Sequence, residues 1–329
     1  MLRVRWVAPV GVLLALLVAP PAAPITSQQR VLLVLATWGP EPYGSVQIQT
    51  VVREAERFVQ ASSFGRLSLQ IDVTRWSDVL IRPATCPREW WDGSLPRAVT
   101  VPGKRAAEAA GFRIGAYDRV VYVIPSSPCV SGGLAVGHEV MLDGAFTSHL
   151  LLHELGHTWA LAHAKSTLCV TLCGQDEYGD FYSIMGEGID DYTVFEKLEL
   201  GWQPKVRVVR GSGLFTLGRA DRAGSLAVGL RVPVGPVDWW FEYRPSPRVV
   251  LHEHQGLPGG VFVRFVDTRD VIPGQGPPEV LMLEPSGRER PAMLPGEKFK
   301  VPGALTVRFV KRTNEAAVLR VTRATATAP

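Results

Sequence analysis

No dense run of lysine or arginine occurs in the 329-residue sequence, and the formal net charge is only +4. The most basic stretch, "KVRVVR" (205–210), alternates with valine as a solvated strand edge does. A phosphate-tracking surface is thereby excluded, and with it a nucleic-acid partner. No apolar segment beyond the N-terminus is long enough to span a bilayer. None of the four cysteines has C-x-x-C spacing, which argues against a redox motif or a zinc-thiolate site. No internal repeat is visible. Histidine is scarce, and its placement is therefore informative: of seven, five (His138, His149, His153, His157 and His163) fall between 138 and 163.

What is present is a globular composition, 46% hydrophobic and 20% charged, with length for two domains. Arg3 and Arg5 precede an apolar run from Trp6 to Ala19, and "PPAAP" follows. This is the secretory pattern, and residues 1–27 are assigned to a signal peptide. The run is short and interrupted by Pro9; a retained N-terminal anchor is the alternative. The mature chain is expected to be extracellular and monomeric, with no stable membrane span. In an exported protein an even cysteine count favours disulfides. The expected pairs are Cys169 with Cys173, close in an irregular loop, and Cys86 with Cys129.

Along the chain, "RVLLVLATWG" (30–39) reads as a buried strand, and residues 45–61 carry Ile48, Val51, Val52, Ala55, Phe58 and Val59 at helical spacing. Strands follow at 66–73 and 119–124, a short helix at "GKRAAEAAG", and one glycine-interrupted edge strand at 133–142. Thr147 or Ser148 can cap the next helix. Residues 164–190 read as a loop, and 191–202 as a helix stopped by Gly201. Short apolar runs between Pro/Gly turns then indicate a β-sandwich or small barrel. The expected division is a mixed-sheet domain over 28–202, a smaller all-β domain over 203–323 and a tail over 324–329. No Ser/Gly-rich spacer separates the two, so they are expected to pack together.

"HELGHTWALAH" (153–163) carries the chemistry. His153 and His157, four apart, share one face of a helix, so both imidazoles can reach one zinc ion. In H-E-x-x-H sites the glutamate, here Glu154, takes the proton of the attacking water and does not bind the metal. His163 lies six residues past His157, about 9 Å along a continuous helix and rotated by roughly 240°. It can join the metal only if the helix breaks near 159–161.

The spacing resembles the metzincin metalloproteases, whose H-E-x-x-H-x-x-G-x-x-H pattern is followed by a methionine turn. His153, Glu154, His157 and His163 match it, and "YSIMG" (182–186) resembles the turn, with Met185 beneath the metal. Ala160 stands where the family has glycine; alanine in a left-handed conformation costs roughly 1–2 kcal/mol. The likeness extends to the gametolysin-like and immune-inhibitor-A-like secreted peptidases in "FVQASSFGRLSLQIDVTRW" (58–76), "EYGDFYSIMG" (177–186), "FEKLELGW" (195–202), "WWFEYR" (239–244) and "LPGEKF" (294–299). It implies an α+β fold with a metzincin-like catalytic domain. It implies a zinc-dependent endopeptidase acting on extracellular or cell-wall proteins, with an oxyanion partner that Tyr178 or Tyr192 could supply.

Blander readings apply elsewhere. His149 suits the helix N-terminal surface or cleft lining, His138 an edge strand, and "HEH" (252–254) a surface strand. Asp176, Glu177, Asp180, Asp190 and Asp191 form an acidic cluster that could hold calcium but lacks the ordered loop spacing. Trp239 and Trp240 should face opposite sides of a strand. The competing reading for the whole chain is an extracellular binding or adhesion module with a structural or degenerate zinc site.

Overall fold

The computed structural model describes residues 25, 27–86, 94–129, 132–169, 173–188, 190–246, 259–269, 280–283 and 292–324. Its first half contains β1 (Ser27–Thr37), α1 (Ser45–Ser62), β2 (Leu67–Val73), β3 (Ser77–Asp78), α2 (Arg97–Ala109), β4 (Arg119–Ile124), β5 (Gly132–Val136), β6 (Glu139–Asp143) and α3 (Ser148–Thr158). The sheet runs β2-β1-β4-β6-β5, with β3 extending β1. Five strands, β3 included, are parallel, and β5 closes the edge antiparallel to β6. β1 is continuously apolar because both of its faces are covered. Val31, Leu33 and Leu35 pack with α1 and α3, while Leu32, Val34 and Ala36 face the cluster that includes Val99 and Ala107 of α2. The chain is anchored at its first described residue: Ile25 N–H donates to Leu200 O (3.0 Å), and Trp202 Nε1–H donates to Ile25 O (2.9 Å).

The second half holds β7 (Ala164–Cys169), β8 (Cys173–Asp176), α4 (Val194–Glu199), β9 (Val206–Val208), β10 (Gly213–Gly218), β11 (Gly229–Val234), β12 (Val237–Arg244), β13 (Gly260–Asp267), β14 (Val280–Leu283), β15 (Ala292–Met293), β16 (Lys298–Val301), β17 (Leu305–Arg312) and β18 (Ala316–Arg323). One sheet runs β8-β7-β14-β13-β12-β11-β9 with β15 beside β13; another runs β10-β18-β17-β16. Phe241, Val261 and Val263 from the first meet Phe215, Val307, Phe309 and Leu319 from the second. The opposite face of β12 and β13 joins the core of the first half through Trp240 and Val266, and Trp240 packs 5.6 Å from Phe195 of α4. Trp239 faces the sandwich against Phe299, so the tryptophan pair splits as strand alternation requires. The protein is thus a mixed α+β structure.

Three expectations need correction. The segment 133–142 is not one strand but a hairpin, because Gly137 at φ +60° and His138 turn the chain and place His138 in an exposed turn. The segment 164–190 is not all loop. β7 pairs parallel with β14 and antiparallel with β8, so partners more than a hundred residues away stabilise strands whose own pattern is weak. Helix α2 begins at Arg97, six residues before Gly103, and carries Pro102 inside it, which hid its first turns. The hydrogen bonds between β7 and β14 cross the division expected near residue 203.

Candidate active site

Helix α3 starts where the Thr147 hydroxyl accepts from Leu150 N–H (3.1 Å) and is held by buried Leu151, Leu152 and Leu155. It ends at Thr158. Ala160 takes φ +67°. Leu161 N–H donates to Gly156 O (3.0 Å) and Ala160 N–H to His157 O (2.9 Å), the two bonds of a Schellman stop. The break falls where the histidine spacing demands it, and the non-glycine residue adopts the left-handed conformation. The chain then returns His163 to the other two histidines.

The Nε2 atom of His157 lies 3.1 Å from that of His153 and 3.0 Å from that of His163. Each Nδ1 has its own partner: Ile184 O for His153 (2.8 Å), Leu161 O for His157 (2.9 Å) and Glu177 Oε1 for His163 (2.8 Å). A carbonyl oxygen only accepts, so Nδ1 carries the proton in His153 and His157, and their Nε2 atoms are bare lone pairs. Lone pairs converging at this distance repel unless a cation lies among them. Burial, reinforced by neighbouring His157, pushes the His153 imidazolium down to about 3, and burial lowers that of His157 as well. Neutral imidazoles with anchored Nδ1 atoms are the donor set of a divalent metal. Among the described residues, these three histidines form the one such convergent group.

Glu154 points elsewhere. Its side chain is 5% exposed and lies against β5, where a Cβ on Gly133 would overlap it. Burial raises its carboxyl to about 7. Met185 is fully buried, and its Sδ lies where a Cβ on Gly156 would be. It sits in a turn closed by Gly186 N–H to Ser183 O (3.1 Å), and its carbonyl accepts from Ala164 N–H (2.9 Å). The sequence singles out neither Gly133 nor Gly156, and it places Glu177 only in the acidic cluster, not beside His163. The two glycines act through an absent Cβ, and Glu177 through a hairpin that pattern reading missed.

A cleft of about 1330 Å³ opens beside this centre and reaches His153 and Glu154. Gly132 and Gly133 of β5, His149, His153 and Glu154 of α3, and Tyr178 line it, with Arg219, Asp221 and Ser246 from the C-terminal sheets. The Tyr178 ring centroid is 4.2 Å from that of His163, and the side chain is 40% exposed. Tyr192 is fully buried and its hydroxyl donates to Leu152 O (2.8 Å), so it does not reach the cleft.

Of the acidic cluster, Asp180 pairs with Arg264, Asp190 with Arg244, Asp191 with Lys197, and Glu177 with Lys165. Cys86 and Cys129 form the expected disulfide, with a Cα separation of 5.1 Å. Cys169 and Cys173 are register partners in the β7–β8 hairpin, but their side chains, like "HEH" (252–254), lie outside the described residues.

A sequence model of the gametolysin peptidase M11 family matches residues 55–235, just over half the chain, and spans all three histidines, Glu154 and Met185. The chain belongs to that family. It is therefore a peptidase of a metalloprotease family, and membership implies a metal. Among solved structures, wild-type OgpA from Akkermansia muciniphila is similar at 13% identity, over 77% of this chain and 88% of that one, with a TM-score of 0.32. Catalytically inactive OgpA from the same organism, in complex with an O-glycopeptide, is similar at 11% identity over 77% and 87%, with a TM-score of 0.31. At these TM-scores neither likeness carries an argument about this M11 peptidase. No curated protein matches it.

Proposed function

We propose that this M11 peptidase is a secreted zinc endopeptidase with a metzincin-like centre. The observation that carries the reading is the convergence of three Nε2 atoms whose rings are each fixed at Nδ1. His153, His157 and His163 would hold the ion, and bound zinc supplies Lewis acidity toward the scissile carbonyl and the attacking water. Glu154 accepts the water proton and returns it to the leaving amine. Its burial against β5 supports that task by holding the carboxylate in one place. Edge strand β5, paired among the described residues only with β6, offers its outer main-chain edge for an extended substrate. Tyr178, at the mouth, is the oxyanion donor in this reading, since Tyr192 is committed to Leu152 O. Met185, packed on Gly156 under the histidine helix, fills the role of the methionine turn.

Secretion rests on the N-terminal pattern, and no described helix is long and apolar enough to cross a membrane. Because Ile25 is hydrogen-bonded to Leu200 and Trp202, we place the end of the removed segment before Ile25 and not at residue 27. The division into 28–202 and 203–323 stands as a proposal about function: the first part carries the chemistry and the second supports it. The decisive experiment is metal analysis of the purified mature chain with a chelator-sensitive peptide-cleavage assay. One zinc per chain and cleavage abolished by chelation and restored by zinc are expected. Cleavage indifferent to chelation would sink the reading.

A further inference from the structure

Two arginines from the C-terminal sheet are buried against the segment that completes the histidine site. Arg264, on β13, reaches Asp180 through Nε (2.6 Å to Oδ2) and Nη2 (3.2 Å to Oδ1), and its Nη1 meets Glu242 Oε1. Arg244, on β12, donates from Nη1 to Tyr182 O (2.6 Å) and Asp190 Oδ2 (2.8 Å), and from Nη2 to Tyr192 O (3.1 Å) and Glu242 Oε1 (2.9 Å). Glu242 Oε2 in turn accepts from Val194 N–H (2.8 Å). Burial works against the charge on Arg244, yet Glu242 and Asp190 outweigh it and hold the guanidinium above its ordinary value. The anchored points, Tyr182 and Tyr192, bracket Ile184 and Met185. Ile184 O is the acceptor that orients the His153 ring. Asp180 N–H donates to Ala164 O (3.1 Å), beside His163.

We propose that Arg244 and Arg264 are positioning residues for the metal centre: they fix residues 180–193 and, through them, the rings of His153 and His163. Desolvating ion pairs costs so much that apolar packing of equal volume would serve stability as well or better. What arginine adds is a planar fork that binds a carboxylate and a carbonyl at fixed angles. The C-terminal sheets are then part of the active centre and not an appended module. This inference rests on the proposed metal site.

The test is Arg264→Lys in the full mature chain, read by zinc affinity against a competing chelator and by kcat and KM separately. Lysine keeps the charge opposite Asp180 and loses the fork. Zinc binding is expected to weaken by about tenfold or more, within the range found when groups that orient metal ligands are removed, and kcat to fall with KM unchanged. Arg323→Lys is the control. Arg323 holds Val209 O and Pro233 O far from the 180–193 segment, so its loss should lower Tm and leave zinc affinity intact. If Arg264→Lys does not fold, Arg244→Lys is read in the same way. Wild-type zinc affinity in the folded variant, or equal weakening by Arg323→Lys, would overturn the proposal. Zinc binding without peptide cleavage by the wild type would instead overturn the peptidase reading and leave the positioning role standing.

Discussion

Gly133→Ala separates activity from stability in this protein. A Cβ at position 133 would overlap the Cγ, Cδ and Oε1 atoms of Glu154. The overlap reaches Cγ, so rotating the carboxylate tip alone does not relieve it, and the side chain must leave β5. Gly133 does not have positive φ, so alanine brings no backbone strain there. Through the unfolded chain it should stabilise by about 0.4–1 kcal/mol, offset in part by the shift of a buried side chain. Misplacing a general base by about 1 Å costs on the order of 10²-fold. The expected variant therefore melts within a few degrees of wild type, keeps its zinc and loses about a hundredfold in kcat on a peptide substrate. Gly132→Ala, at φ +117°, is the contrasting change: it strains the backbone and should lower Tm. A folded Gly133→Ala variant with near wild-type turnover would refute the assignment of Glu154 as the base.

Glu154→Gln should retain zinc and lose roughly 10²–10⁴-fold in turnover, whereas His163→Ala should lose metal and activity together; metal analysis beside kinetics distinguishes them. Glu177→Gln should weaken zinc binding about 10- to 100-fold, because the His163 Nδ1 partner loses its charge, and unchanged affinity in a chelator competition would count against that role. Ala160→Gly relieves a left-handed alanine but adds chain entropy, so stability should change by less than about 1 kcal/mol and zinc affinity should hold or improve. Replacing both Cys86 and Cys129 by serine opens a loop with a sequence separation of 43 and should cost about 4 kcal/mol in denaturant unfolding, with the active-site geometry preserved.

The convergence of the three histidines was legible because it is local. His153, Glu154, His157 and His163 sit within eleven residues, and the helical repeat alone requires the break that Ala160 makes. A cap at Thr147 or Ser148 and the doubly covered β1 were legible for the same reason: period and end signals lie in the neighbouring residues. What stayed hidden depends on distant partners. β7 is a strand because β14 lies beside it, and nothing in "AKSTLC" announces that. Asp180 and Asp190 read as part of a solvated acidic loop with calcium as the lesser alternative, since the arginines that face them come 84 and 54 residues later. Gly133 and Gly156 matter through atoms they do not have, and only the neighbours Glu154 and Met185 reveal it.

The pairing of Asp180 with Arg264 also sets a clock on biosynthesis. A chain made from its N-terminus has all three histidines once residue 163 has emerged, but Arg264 follows about 100 residues later. At roughly 5–20 residues per second that interval is on the order of 5–20 s. Until it ends Asp180 lacks Arg264, and Asp190 gains Arg244 only about 20 residues before that point, so the ties from β12 and β13 to the segment carrying Ile184 and Met185 form last. A nascent chain halted or clipped before β13 carries the full histidine motif without the finished centre.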